Sequence, residues 1–452
     1  MCMTPTWSVV FDDDEELGEL LDGVFSAGLV GRRAALNMRR RTAAAAAVAG
    51  KRGQGPQGKK LKGTPFSWVD HVIRLTESQF KRRYRLSWPA FNKLLGLLDE
   101  DLKVVNPRLA KNGNNGRVVP NAVKLAIGLR YLAGGDPLDL FLIYHVSLGY
   151  VYKCIWTVVD AVNQRLQIKF PIDDPEKLAT LEAEFRAASP GGIWEGQVGA
   201  LDGVHFATIA PSSKDVDDPM RYFVARKDEY ALLCMAVCDA QRRFLYYDIS
   251  QVPTTHDSLA WYMSKLGRRI ADGDLPDPYF INGDSAFSLS PSLVCPSTLP
   301  EHDDFDYHQS SNRMPIECAF GVLVQRWGIL WRSLRCRFDR RAQLIGACMR
   351  LHNFCIDERV AEETVIKHGV GQVQPGRWEP APLFDRHGRP VHHLDIEQED
   401  AVRARVRRRA AHKNVRLMQL ARLVQASGIK RPALAPGLRK KVRGRRGATG
   451  AA

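Results

Sequence analysis

The sequence predicts an α/β protein in which a helical region precedes a mixed sheet with flanking helices. Apolar runs of strand length recur in the middle of the chain, at 198–201, 230–237, 244–249 and 279–282. Apolar residues at helical spacing dominate the region before these runs and the segments between the later ones. With 452 residues, 45% of them hydrophobic, the chain is long enough for two domains with a sizeable core in each.

Residues 1–63 are predicted to be a disordered arm. The arm opens with the acidic run Asp12–Glu16 and then turns basic among Ala, Gly and Gln, without apolar periodicity. The start of the chain lacks the cationic and apolar pattern of a signal peptide, and no apolar stretch reaches transmembrane length. We therefore expect no membrane association.

Residues 64–165 are predicted to form a helical domain. Ser87 is a candidate N-cap with Pro89 in the first turn, and the apolar residues that follow repeat at helical spacing. Further helices are expected at 122–132, 137–145 and 150–162.

The last two of these helices resemble a helix-turn-helix, because a four-residue turn containing Gly149 joins them. The second helix offers Tyr150, Tyr152 and Lys153 but no Arg, and acidic residues precede it. DNA-groove binding and simple packing therefore remain two open interpretations of this pair.

Three acidic residues are the strongest functional signal in the central region. Asp202 and Asp284 each close a short apolar run and stand beside a Gly, which is how a strand delivers a side chain to the carboxyl edge of a sheet. Glu317 lies where a helix is predicted to begin, with Pro315 in its first turn and apolar residues following at helical spacing.

Two strand-end aspartates and a helical glutamate can surround a pair of hard cations and leave room for a phosphate. This arrangement indicates phosphodiester cleavage. The alternative is a set of ordinary turn and cap residues, since the chain contains 50 Asp and Glu and an Asp after an apolar run is common in turns.

The order of the predicted elements is informative as well. Three strands, a helix, a strand and a helix, with acids on the first strand, the fourth strand and the late helix, form the layout of a ribonuclease-H-like nuclease core. Five motifs in this order resemble the PIF/Harbinger transposases and their domesticated nuclease relatives, of the DDE superfamily endonuclease class. These motifs are LDGVHF (201–206), HDS (256–258), NGDSAFSLSPSLVCP (282–296), HQSSNRMPIECAFGVLVQRWGILW (308–331) and LHNF (351–354).

The resemblance extends over residues 64–360 and implies a DDE nuclease domain at 190–360. It places the family's metal-binding and catalytic acids at Asp202, Asp284 and Glu317, with two Mg²⁺ or Mn²⁺ ions and Asp202 between them. Arg313 and Arg326 occupy the arginine positions of its last catalytic motif and are predicted to contact DNA.

A transposase of this kind cuts at the element ends with water and then joins the freed 3′-hydroxyl to target DNA. The resemblance also implies a separate Myb-like DNA-binding partner, and a homo-oligomer is expected. The alternative function is that of a domesticated relative that binds DNA or a partner protein and does not cut.

Two other sites leave alternatives open. His205 either donates a hydrogen bond behind the carboxylates or packs beside the strand, and packing is favoured. Cys348, His352 and Cys355 share a helical face and suggest zinc, but burial against the catalytic core is favoured. The nine Cys form no paired framework, which indicates a reducing compartment.

Residues 361–452 are predicted to comprise a linker, a basic helix at 401–426 and a basic tail. Lys and Arg number 65 against 50 acidic residues, a formal charge of +15 that fits a double-stranded DNA partner. The run 439–446 resembles a nuclear-import signal, so a nuclear location is expected. The tail cations predicted to contact DNA are Arg439, Lys440, Lys441 and Arg443.

Overall fold

The computed structural model describes residues 66–103, 118–297, 299–358 and 414–431. The predicted N-terminal arm, the linker and the tail cations Arg439, Lys440, Lys441 and Arg443 lie outside the described residues.

The helical region predicted from the sequence is present. Its described residues form α1 (Trp68–Ile73), α2 (Glu77–Tyr84), α3 (Trp88–Leu102), α4 (Asn121–Leu132), α5 (Pro137–Tyr144) and α6 (Leu148–Arg165), and α7 (Pro175–Ala188) follows this region. The Ser87 side chain accepts a hydrogen bond from the Ala90 N–H, and Pro89 lies in the first turn of α3, as the sequence predicts.

Helices α5 and α6 meet at 104°, and His145 between them adopts a left-handed conformation. An angle of this size is typical of a helix-turn-helix. Within the described residues no single helix is long and apolar enough to cross a membrane, although α5 and α6 together meet that criterion by length and composition. Much of α6 is buried inside the protein, including Val151, Ile155 and Val158.

In the part of the chain that the structure describes, six strands form one mixed sheet: β1 (Gln197–Thr208), β2 (Phe223–Val224), β3 (Glu229–Cys238), β4 (Phe244–Asp248), β5 (Phe280–Asn282) and β6 (Leu293–Val294). Strand β1 is central, antiparallel to β3 and parallel to β5. Strand β4 continues the antiparallel side beyond β3, and β6 continues the parallel side beyond β5. This order, β4-β3-β1-β5-β6, is that of a ribonuclease-H-like core and confirms the predicted fold class.

The remaining helices are α8 (Asp257–Met263), α9 (Lys265–Ala271), α10 (Asp303–Arg326), α11 (Phe338–Asp357) and α12 (Val415–Ser427). The single helix predicted between the third and fourth strands is in fact two, because Ser264 ends α8 and its hydroxyl caps the start of α9.

One large apolar cluster joins the helical region to the sheet. It contains residues of α3, α4 and α6, side chains of β3 and β4, and apolar faces of α10 and α11. A second cluster fills the other face of the sheet under α8 and α9. Helix α12 buries Leu417, Leu420 and Val424 against Trp194 and Phe305, so the described part of the predicted basic helix packs on the core.

The LHNF motif of α11 holds the outer edge of the sheet. The Asn353 amide accepts a hydrogen bond from the Phe244 N–H and donates one to the Phe244 carbonyl, both at 2.8 Å. The His352 ring contacts the carbonyl of Arg242 at 2.9 Å. Cys348 and Cys355 are also fully buried, which agrees with the packing interpretation of this cluster.

Asn353→Leu is expected to lower the free energy of unfolding by about 2–5 kcal/mol. The substitution leaves a buried backbone N–H and a buried carbonyl without partners, each worth about 1–3 kcal/mol. Urea denaturation measures the change, and Asn163→Leu is the control, because Asn163 is part-buried and its side chain donates one bond, to the Gln343 carbonyl at the surface, and satisfies no buried backbone N–H. Equal effects of the two substitutions would contradict this role for Asn353.

Candidate active site

Strand register brings the two predicted aspartates to the same level of the sheet. Ala200 of β1 pairs with Asn282 of the parallel strand β5, and Asp202 and Asp284 each lie two residues further along. The prediction that Asp202 ends its strand is wrong, since β1 continues to Thr208 and the residue lies within the strand. The strand continues because it pairs with β3 along its second half.

Each aspartate is oriented by a backbone hydrogen bond. Asp202 Oδ1 accepts from the Gly203 N–H at 2.8 Å, and Asp284 Oδ1 accepts from the Ala286 N–H at 2.7 Å. The second bond forms a local turn directly after β5. Both carboxylates are therefore held by the main chain before any ligand binds.

Glu317 lies in the interior of α10, and not at the start of a helix as predicted. The helix begins fourteen residues earlier, at Asp303, so Pro315 lies inside the helix as well. The polar segment before Pro315 is helical because it packs against the sheet. There the Gln309 amide donates to the Gly283 carbonyl, and the Gln197 amide of β1 donates to the Asn312 carbonyl.

Arg313 connects the first and third acids. Its Nη1 lies 3.4 Å from Asp202 Oδ2, and its Nη2 lies 2.5 Å from Glu317 Oε1. Only 14% of the Arg313 side chain is exposed, so this residue is largely enclosed by its neighbours. The structure places Arg313 inside the acidic site.

The surroundings of Asp202 shift the pKa of its carboxyl group. Burial first, and then the carboxylates of Asp284 and Glu317, raise the pKa of Asp202 to about 6, against the Gly203 N–H and the Arg313 guanidinium, which lower it. A carboxyl group with this pKa is poised between its neutral and charged forms near pH 6.

A fourth acid reaches the site, and the sequence reasoning gave it no role. Asp257, at the start of α8, lies so near Gly203 that a Cβ there would be 3.3 Å from Asp257 Oδ1. Burial, and then the Asp284 carboxylate, raise the pKa of Asp257. The motif HDS was visible in the sequence, but only the fold places its Asp beside Asp202 and Asp284.

The other two residues singled out from the sequence, His205 and Arg326, lie in different surroundings. His205, on β1, is part-buried, and burial together with Lys227 and Arg226 lowers its pKa to about 4, so it is neutral at pH 7. Arg326 is fully buried beside Cys355 at the end of α10. The DNA-contact prediction for Arg326 is therefore wrong, because a side chain without exposed surface does not reach a duplex.

The donor set suits a hard divalent cation, since Asp202, Asp284 and Glu317 supply only carboxylate oxygens. The described residues nevertheless contain no group of three His, Cys, Asp or Glu side chains already gathered around one cation position. Arg313 stands between two of the three acids. The chemistry of the site fits the cations, and its closure around them requires side-chain movement.

A ribonuclease-H-like sheet with acids on two adjacent strands and on the flanking helix defines the DDE class of nuclease folds. A family model described as "DDE superfamily endonuclease" matches residues 201–353, which include Asp202, Asp284 and Glu317. Residues 201–353 are thus similar to the DDE superfamily endonucleases, and the predicted resemblance is confirmed.

Three similar proteins carry the name "Putative nuclease HARBI1". The rat protein (Rattus norvegicus) is 28% identical over 222 residues, 47% of this chain and 60% of the relative. The cattle protein (Bos taurus) is 26% identical over 220 residues, again 47% and 60%. The Xenopus laevis protein is 24% identical over 247 residues, 51% and 65%.

The matched region therefore spans less than two thirds of each of these relatives. No solved structure matches the chain.

Proposed function

We propose that this protein is a divalent-cation-dependent endonuclease that hydrolyses phosphodiester bonds in double-stranded DNA. The observation that carries the proposal is the register of β1 and β5, which brings Asp202 and Asp284 side by side, with Glu317 facing them from α10. The relatives' printed name and the family match support the same chemistry.

In this proposal Asp202 would hold both cations, and Asp284 and Glu317 would hold one each. When bound, the pair of Mg²⁺ or Mn²⁺ ions activates a water molecule and stabilises the charge that develops on the phosphate. The chain itself fixes the carboxylates through the Gly203 and Ala286 N–H groups. It therefore presents oriented oxygens to the ions, and no side chain is needed as the nucleophile.

The same site supports strand transfer if a 3′-hydroxyl takes the place of water. A transposase that acts in this way, within a homo-oligomer in the nucleus and with a Myb-like DNA-binding partner, is the fuller form of the proposal. These features come from the resemblance to PIF/Harbinger transposases.

Cation-dependent cleavage of plasmid DNA tests the proposal. The full chain is incubated with supercoiled plasmid and Mg²⁺, Mn²⁺ or EDTA, and the products are separated on a gel. Nicked or linear product with either ion, and none with EDTA, is the expected result. A protein that binds the plasmid but leaves it intact under every condition would instead be the non-cutting relative.

The basic termini are expected to supply much of the salt-dependent DNA affinity. Residues 1–62 contain ten Lys and Arg, and residues 432–452 contain six. The second deletion starts at 432 because Arg431 packs over the Tyr307 ring and its N–H contacts Asp304. Removing both segments should flatten the plot of log K against log salt by about 0.9 for each lost phosphate contact.

Fluorescence anisotropy with a labelled duplex at several salt concentrations measures this slope. Deletion of residues 1–31 is the matched control, because it removes the acidic run and no Lys or Arg. If the full double deletion leaves the slope unchanged, the termini do not contact DNA and the folded part binds alone.

A further inference from the structure

The guanidinium of Arg313 lies where a cation would otherwise meet Asp202 and Glu317. Its two terminal nitrogens contact one oxygen of each acid, at 3.4 Å and 2.5 Å. Asp202 lies on strand β1, and Glu317 lies one turn after Arg313 on helix α10. The arginine side chain is 14% exposed. An arginine so placed is part of the site and not a surface ion pair.

Both oxygens of Asp202 are engaged in this arrangement. Oδ1 accepts from the Gly203 N–H, and Oδ2 faces Arg313. The Gly203 N–H belongs to a paired strand and moves only with the sheet. A divalent cation that binds Asp202 at Oδ2 therefore meets the guanidinium at the same oxygen, and the long arginine side chain is the partner that can move away.

We propose that Arg313 is an internal counter-ion that competes with divalent cations for Asp202 and Glu317. This inference rests on the proposed cation site. In the cation-free protein, the guanidinium offsets one of the four negative charges of Asp202, Asp257, Asp284 and Glu317. It also occupies the position between Asp202 and Glu317 where one ion would contact both acids. Cation binding then becomes an exchange of one positive partner for another.

The released side chain has a second partner available. A guanidinium fork matches the geometry of a phosphate, and Arg313 lies at the site where the scissile phosphate would be held. The exchange thus reconciles the DNA contact predicted for Arg313 with its position between the acids in the structure.

Direct Mn²⁺ binding without DNA tests the competition. Free Mn²⁺ is measured by electron paramagnetic resonance during titration of the full-length protein and its Arg313→Gln and Arg313→Lys variants. Loss of the charged competitor in Arg313→Gln should lower the half-saturating Mn²⁺ concentration about tenfold, the size of a charge-assisted hydrogen bond. Arg313→Lys keeps the charge without the fork and should fall between the two.

Arg165→Gln is the matched control, because Arg165 also makes two bonds to an acid, Asp101, but within the helical region. Its Mn²⁺ midpoint should equal that of the wild type. A second readout is the melting temperature, which Mn²⁺ should raise more in Arg313→Gln than in the wild type.

Each outcome has a distinct meaning. Equal or weaker Mn²⁺ binding by Arg313→Gln overturns the counter-ion role and leaves the proposed cation site intact. Absence of Mn²⁺ binding in the wild type and in all variants overturns the cation site itself, and the proposed function with it.

Discussion

Asp202→Asn is expected to reduce cation-dependent DNA cleavage by about a thousandfold or more, as are Asp284→Asn and Glu317→Gln. An amide keeps the shape of the side chain but loses the charge that holds a hard cation. Stabilisation of a transition state by bound metal is worth several kcal/mol, and each 1.36 kcal/mol is a factor of ten in rate. Initial rates of plasmid nicking, at saturating Mg²⁺ and then Mn²⁺, measure the loss.

Asp202→Asn should also make the cation-free protein more stable at pH 7.5. The pKa of Asp202 is raised from the usual 3.8 to about 6, so the folded protein disfavours the charged carboxylate. This difference between the pKa values of the folded and unfolded states lowers the free energy of unfolding of the wild type by about 3 kcal/mol above pH 6. As the pH falls through 6 towards 3.8, the wild type becomes neutral in both states and the advantage of Asn should vanish.

Loss of cleavage together with a gain in stability distinguishes a functional acid from a structural one. Urea denaturation at pH 7.5 and at pH 4.5, in EDTA, measures the second half of this pattern. Asp239→Asn is a useful comparison, because burial also raises the pKa of Asp239 to about 6, but Asp239 lies in the turn between β3 and β4. Asp239→Asn should retain cleavage. Wild-type cleavage by any one of the three site variants would remove that acid from the site.

The sequence predicted β3, β4 and β5 well because each of these strands is a compact apolar run with a clear end. The buried stretch Glu229–Cys238 and the short strand Phe280–Asn282 both fall where apolar runs placed them. The two aspartates were found for the same reason, since an acid directly after such a run stands out. Their side-by-side position required the parallel register of β1 and β5, which no local pattern encodes.

The beginning of α10 could not be predicted, because its first half is polar. The side chains of His308, Gln309 and Asn312 are buried although the local sequence reads as a surface loop. Gln309 satisfies carbonyl groups of the loop and strand that it covers, at Gly283 and Val294. Tertiary hydrogen bonds, rather than apolar periodicity, make this segment a helix.

Arg326 was wrongly predicted to contact DNA, and Asp257 was not predicted to belong to the site, for the same physical reason. The motif that contains Arg326 suggested a DNA contact, but the phase of α10 turns this residue into the core. The motif that contains Asp257 suggested no chemistry, but the start of α8 brings it to Gly203. In both cases the decisive fact is which face of an element meets the sheet, and that is set by packing across the whole domain.

Phe320→Leu is expected to reduce cleavage about tenfold to a hundredfold while the protein stays folded. Phe320 is 7% exposed and packs against Phe244 of β4, with ring centroids 5.6 Å apart. It lies three residues after Glu317, about 4.5 Å along the helix axis, and so fixes the height of the glutamate over the sheet. A displacement of about 1 Å at a reacting group can cost on the order of a hundredfold in rate.

Phe305→Leu is the matched control. Phe305 is also buried on the same helix, but it lies twelve residues before Glu317 and packs against Trp194. A leucine in place of a buried phenylalanine should lower the stability of both variants by a similar amount, about 1–2 kcal/mol. Only Phe320→Leu should lower the cleavage rate and raise the Mg²⁺ midpoint, because only Phe320 lies within one turn of the glutamate. Melting temperatures and Mg²⁺ titrations of cleavage for the two variants decide the question. If the two rates fall equally, in proportion to stability, then the contact between α10 and β4 does not position Glu317, and the helix serves the site only by being folded.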